Sequence, residues 1–391
     1  MPEATSVLLK YRTEGAEQWI HGSVSQFSNV TDFVETILLR DLSEDTLYEY
    51  RTNTFLRGSF RTTAQSPKQW SMVSSSCISP GFPYNPVGNS LEIQGLTHLS
   101  RYIQARSIDF MLFLGDFIYI DLPLPQRQTN IGYRRAYRRV YASPSWTPAL
   151  QDLSFIHTYD DHEFENDWAS NTTGIFWDAV EPFQHYQGNA NPPSDFNDSY
   201  FTFHRGDVHF FVMDARRYRS SAEVVDGPDK TMLGGKQLAD LLHWLATAPG
   251  LKVVVSSVPF TRNWRGPESA DSWAGYLHER QKILQSMWET QGVIISSGDR
   301  HEHATTEFPS PDGKKKVVEF STSPLSQFYQ PFERMYQQIE DTDVAIYHHP
   351  WGISKFGALH FDTSQQDEWK VKFELIVDGR KVWYTEIGFP Q

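Results

Sequence analysis

Short runs in which apolar and polar residues alternate fill the first 64 positions: VLLKYRTE, VETILLRDL, LYEYRTNTF and GSFRTT. A two-residue period puts the apolar side chains on one face of an extended chain, so each run predicts a strand. From residue 70 the pattern changes. WSMVSSSC, IDFMLFLGD, SFIHTYDD, VHFFVMD, LKVVVSS and GVIISSGD are apolar runs that end in polar or acidic residues, and they read as buried strands. Between them, Leu238, Leu241, Leu242 and Leu245, and then Ile283, Met287 and Trp288, recur every three or four residues, which predicts helices. The tail returns to strand-like runs, VVEFSTSP, FGALHFD, WKVKFELIVDG and KVWYTEI, which extend a sheet toward the C-terminus. AQSPKQW, residues 64–70, has no apolar period and marks a boundary. The expected organisation is a small all-β unit over residues 1–64 and an α/β domain over residues 65–391, a layered β-sandwich flanked by helices.

Composition narrows the function. With 12 Trp, 18 Tyr and 26 Phe, the chain has the aromatic content of a packed interior. A formal charge of −13 gives no cationic surface for nucleic acid or an anionic membrane. No run approaches the roughly 18 apolar residues of a membrane span. The opening MPEATSVLLK lacks a charged head followed by an apolar segment, so the expectation is a cytoplasmic chain if this N-terminus is native and a secreted one if it is truncated. Cys77 is the only cysteine, so no intrachain disulfide forms.

The candidate chemistry lies where strands end. Asp116 follows FMLFLG, Asp160 and Asp161 follow SFIHTY, Asp214 follows HFFVM, and Asp299 follows VIISSG. Ligands of an open α/β sheet gather at the carboxyl ends of its strands. One aspartate there is an ordinary turn residue, whereas a series at successive strand ends points to cation binding. Phosphate esters repel nucleophiles, and paired cations answer this by neutralising charge and activating water.

Gly115-Asp116-Phe117-Ile118-Tyr119, Asp160-Asp161-His162-Glu163, Gly298-Asp299-Arg300-His301 and Ser76-Cys77 resemble the motif set of the PhoD-like alkaline phosphatases, within the calcineurin-like metallophosphoesterase superfamily. The resemblance extends to Met213-Asp214-Ala215-Arg216 and to Glu319 through Ser326, and is nearest to fungal and other eukaryotic members. The first unit, with its Tyr-X-Tyr strand, resembles the later strands of a fibronectin type III sandwich in abbreviated form.

The PhoD resemblance implies metal ligation by Cys77, Asp116, Tyr119, Asp161, Asn166, Asp299 and His301. Asp116 would bridge the ions and Tyr119 would bind iron(III) as a phenolate, an arrangement that purple acid phosphatases share. Ser75-Ser76-Cys77 replaces the superfamily's usual Asp-X-His, and Ser257-Val258-Pro259 its usual His-X-Pro. Oxygen donors in place of imidazoles favour a harder second ion, so the cofactors expected are Fe3+ and Ca2+ in preference to Zn2+ or Mn2+. His162 is expected to protonate the leaving group, Arg216 to clamp a phosphate oxygen, and His303 to be a surface or supporting residue. The function so implied is hydrolysis of small-molecule phosphate monoesters. Phosphodiesterase or phospholipase D-like activity at the same site is the alternative, and a non-catalytic binding protein the distant one.

Overall fold

The computed structural model describes residues 5–54, 56–80, 89–122, 125–194, 198–327 and 336–390. Strands β1 (Thr5–Thr13), β2 (Ile20–Phe27), β3 (Leu47–Thr52) and β4 (Arg57–Arg61) pair antiparallel in the order β2-β1-β3-β4. Among the described residues the N-terminal unit is thus one sheet, where a two-sheet sandwich was expected. VETILLRDL, expected as a strand, forms no ladder. It covers the sheet instead: Leu9 and Leu39 both close over Gly22, and the Ser43 N–H donates to the Tyr48 hydroxyl at 2.9 Å. Its alternation therefore reports one-sided burial of a loop, a pattern that period alone does not distinguish from a strand.

The larger domain follows as β5 (Gln69–Ser75), α1 (Gln94–Gln104), β6 (Phe110–Leu114), α2 (Asn130–Tyr141), α3 (Pro148–Gln151), β7 (Ser154–Thr158) and α4 (Phe176–Tyr186). Next come β8 (Phe201–Arg205), β9 (Val208–Val212), α5 (Gly234–Thr247), β10 (Leu251–Val255), α6 (Leu277–Glu289) and β11 (Val293–Ser297). The chain ends with β12 (His303–Pro309), β13 (Lys316–Thr322), β14 (Ile339–Glu340), β15 (Asp343–His349), β16 (Lys355–Asp362), β17 (Glu368–Val377) and β18 (Arg380–Pro390). Two mixed sheets result, ordered β18-β17-β16-β5-β6-β7 and β14-β15-β12-β13-β11-β10-β9-β8. Within them β5-β6-β7 and β9-β10-β11-β13 run parallel.

Three apolar layers explain why the parallel strands are apolar on both faces. Met72, Leu112 and Leu114 of one sheet meet Val212, Val253 and Phe320 of the other in the middle layer. Val73, Met111 and Phe113 turn outward to Leu96, Tyr137 and Val180 of α1, α2 and α4. Phe211, Val254 and Ile295 turn outward to Leu241, Ile283 and Met287 of α5 and α6. This sandwich holds the parallel strands so that their carboxyl ends converge at one edge.

On β7, His157 is buried among the rings of Phe113, Phe117 and Phe155, and burial pulls its pKa from 6.5 to about 3. A histidine depressed in the fold contributes stability that is present above pH 6.5 and lost as pH falls toward the folded value. His157→Phe is expected to lose about 2 kcal/mol less than the parent between pH 7 and about pH 5, read from urea midpoints. Parallel losses in both proteins would remove His157 from the acid response.

Candidate metal centre

Three of the strand-end motifs place residues in the left-handed backbone region. Cys77 (φ 64°), Asp116 (φ 58°), Asp299 (φ 74°) and His301 (φ 59°) all lie there. Such a conformation costs roughly 1–2 kcal/mol for a non-glycine residue and clusters at functional sites. Here the loops hold one another in it. The N–H of Cys77 donates to Gly115 O at 3.1 Å, Ile78 N–H to Asp116 O at 3.0 Å, and Asp299 N–H to Ser76 Oγ at 3.0 Å. Gly115 itself (φ 98°) is obligatory, because a Cβ there would fall 2.5 Å from Asp160 Cβ.

Glu163 ties two of these loops together. Its carboxylate accepts from the N–H groups of Asp116 (2.9 Å), Phe117 (2.6 Å), Ile118 (3.3 Å) and Asp160 (2.8 Å), and burial raises its pKa to about 7. The sequence placed Glu163 inside a motif without assigning it this work.

Asp116 is the centre of the donor set. Candidate ligand atoms lie within 4.8 Å of one another in three groups that share it: Cys77 with Asp116 and His301, Asp116 with Asp161 and His162, and Asp116 with Asp160 and Asp299. Tyr119 joins the first group, its hydroxyl donating to Asp116 Oδ2 at 3.0 Å and lying 3.2 Å from His301 Nε2. Cys77 Sγ lies 3.3 Å from the same Asp116 oxygen. Six of the seven expected ligands are thereby gathered at one site. Asn166 is different: its side chain is exposed, and its backbone N–H donates to Asp121 Oδ2 at 2.8 Å. Asp160, which the sequence reading named as a strand-end acid but not as a ligand, stands beside Asp116 and Asp299.

The chemistry of these donors suits cations. Burial first, then neighbouring acids, raise the Cys77 thiol, the Asp116 carboxyl and the Tyr119 phenol well above their ordinary values. Acids that hold protons this tightly release them when a cation replaces the proton. Asp160 Oδ2 and Asp161 Oδ1 are buried without a hydrogen-bond partner among the described residues, a costly state unless a cation satisfies them.

Arg216 departs from expectation. It is fully buried, its Nε donates to Asp160, and its two terminal nitrogens fork onto Asp271 at 2.8 Å each. One of these also lies 3.5 Å from Asp161. All three guanidinium nitrogens are thereby engaged by buried carboxylates, a geometry that favours holding those acids over clamping a phosphate. Asp271 carried no sequence signal, since it ends a short 3-10 turn, Pro267–Asp271, that has no apolar period. Asp214, another of the strand-end acids, accepts from the N–H groups of Arg216 and Arg217. His303 is wholly buried, not a surface residue, and its ring nitrogens lie 2.9 Å from Thr322 Oγ1 and 3.0 Å from Thr305 Oγ1.

His162 gains a partner the sequence did not reveal: its Nδ1 lies 2.7 Å from Asp121 Oδ1. Burial alone would lower the imidazole pKa, but Asp161, Asp116 and Asp121 outweigh it and the net shift is upward. Asp121→Asn is expected to cut kcat about 100-fold with KM and metal content retained. An unchanged kcat would remove Asp121 from the reaction.

A layered sandwich of this topology, with an acidic donor set at its strand ends, is the metallophosphoesterase fold. A solved structure of PhoD superposes with a TM-score of 0.74 at 16% identity, covering 100% of this chain and 84% of that one. A purple acid phosphatase, PPD1 from yellow lupin (Lupinus luteus) seeds, superposes with a TM-score of 0.66 at 13% identity, covering 98% and 69%. Alkaline phosphatase D of Bacillus subtilis (strain 168) is 24% identical over 248 residues, 51% of this chain and 42% of that protein. The sequence pattern of the PhoD-like phosphatases matches residues 84–373, and the chain belongs to that family. The match spans less than half the length of the Bacillus relative.

Proposed function

We propose that this protein is a metal-dependent phosphoester hydrolase that acts on small-molecule phosphate monoesters. The observation that carries the proposal is the sharing of Asp116 among three donor groups, the position a bridging carboxylate requires. Cys77, Tyr119 and His301 supply sulfur, phenol and imidazole on one side of it, a set that suits iron(III). Asp160 and Asp299 supply only oxygen on another, which suits calcium. When bound, such a pair of ions lowers the pKa of water and neutralises phosphoryl charge.

The chain's own residues do the rest. Glu163 fixes the Asp116 and Asp160 loops by their backbones. Arg216 holds Asp160, Asp161 and Asp271 in place. With Nδ1 held by Asp121, Nε2 of His162 is the ring nitrogen left to carry a proton to the departing alkoxide.

The test compares p-nitrophenyl phosphate, its bis-ester and phosphatidylcholine, alongside elemental analysis and a visible spectrum. Monoester turnover, bound iron and calcium, and a phenolate-to-iron band are expected. A diester preference above about tenfold in kcat/KM would replace the monoester reading. Absence of the coloured band would overturn iron at Tyr119, and no hydrolysis of any of the three would overturn the whole.

A further inference from the structure

A second cavity lies behind the metal loop, on the helical face of β7. Its volume is about 380 Å3, within the range of about 300–1,000 Å3 typical of small-molecule sites. Tyr141, Trp146, Phe155 and Tyr186 supply aromatic walls, and none of its lining residues is charged. His157, Gln187 and Gln151 are its polar members, and the Gln151 amide already donates to Trp146 O at 2.9 Å.

Two features separate this cavity from ordinary packing defects. The rings are already arranged to stack: Tyr141 lies 5.5 Å from Trp146 at 24° between planes, and 5.9 Å from Tyr186 at 15°. The polar groups are under-used. His157 Nδ1 is buried without a hydrogen-bond partner among the described residues. Gln187 is 2% exposed; it faces the Tyr141 hydroxyl and otherwise leaves its amide without a partner among the described residues. Buried polar groups in native proteins are normally satisfied, and exceptions call for an explanation.

We propose that this cavity binds a neutral, planar heteroaromatic molecule of nucleobase size, stacked on the aromatic walls and hydrogen-bonded along one edge by His157 Nδ1 and the Gln187 amide. Flat π-faces fit offset stacking on Tyr and Trp. A ring nitrogen beside an amino group offers the acceptor and donor that an imidazole and an amide can read. The absence of charge in the lining excludes phosphate esters, which belong at the metal centre. His157 remains neutral across physiological pH, because burial depresses its pKa to about 3. Asn191 accepts from the His157 backbone N–H at 2.8 Å and donates to its carbonyl at 2.7 Å, which fixes the backbone at this position, while the rings of Phe113, Phe117 and Phe155 pack around the imidazole and its Nδ1 stays open among the described residues. The site also touches the metal loop from behind: the Phe117 ring, next to Asp116 in sequence, lies 5.0 Å from Tyr141 and 5.5 Å from His157.

The experiment is calorimetric titration of the full chain with adenine as the probe and cyclohexanol as a non-aromatic control. Saturable binding of one adenine is expected, with cyclohexanol at least about tenfold weaker. Ala190→Trp, at an exposed lining position, should abolish binding and leave p-nitrophenyl phosphate turnover unchanged. His157→Phe keeps an aromatic ring and should weaken adenine about tenfold. Saturating inorganic phosphate should not displace the probe. No saturable adenine binding, unaltered affinity in Ala190→Trp, or displacement by phosphate would each overturn the proposal.

Discussion

Asp116→Asn is expected to lower kcat by at least about 1,000-fold and to leave the purified protein depleted of metal. Asparagine is the informative replacement because it tolerates the left-handed backbone found at residue 116, whereas alanine there adds strain unrelated to ligation. The amide keeps the shape but loses the charge that three groups of donors share. Loss of several kcal/mol of charge stabilisation at a reacting phosphoryl group corresponds to the stated factor. The metal-free variant should be no less stable than the metal-free parent, since one of several crowded buried acids has been neutralised. Retention of both ions by the variant would remove Asp116 from the bridging role.

The second large effect belongs to Arg216. Arg216→Met leaves Asp160 and Asp161 buried without their cation, while Asp271 keeps its pairing with Arg219, and stranding buried charges typically costs about 3–5 kcal/mol. The urea midpoint should fall accordingly, and Arg216→Lys should restore little, because an ammonium does not reproduce the two-pronged contact with Asp271. A phosphate clamp would behave in the opposite way, with KM raised and the unfolding midpoint kept. An unshifted midpoint would return Arg216 to that role.

Much of the site was legible because its residues stand at strand ends, and strand ends are visible in sequence. Asp116, Asp160, Asp161 and Asp299 each follow a short strand-like run, and those runs became β6, β7 and β11. What escaped was partnership. Asp121 lies 41 positions from His162 and Asp271 lies 55 from Arg216; neither spacing has a period, so only the folded chain pairs them. Arg216 shows the same limit, because an arginine beside a strand-end aspartate looks available until its partners are known. The N-terminal run VETILLRDL failed for a different reason: a loop draped over a sheet alternates burial as a strand does.

The donors come from distant parts of the chain, with Cys77 and Asp299 separated by 222 positions. During synthesis the sulfur, the phenol and the first carboxylates therefore emerge long before the imidazole of His301. Until both sheets have formed and met, a nascent chain offers a passing cation only scattered acids on an unformed edge. A cation that needs the whole donor set can therefore be held only once both sheets have formed and met, which ties its retention to the completed fold.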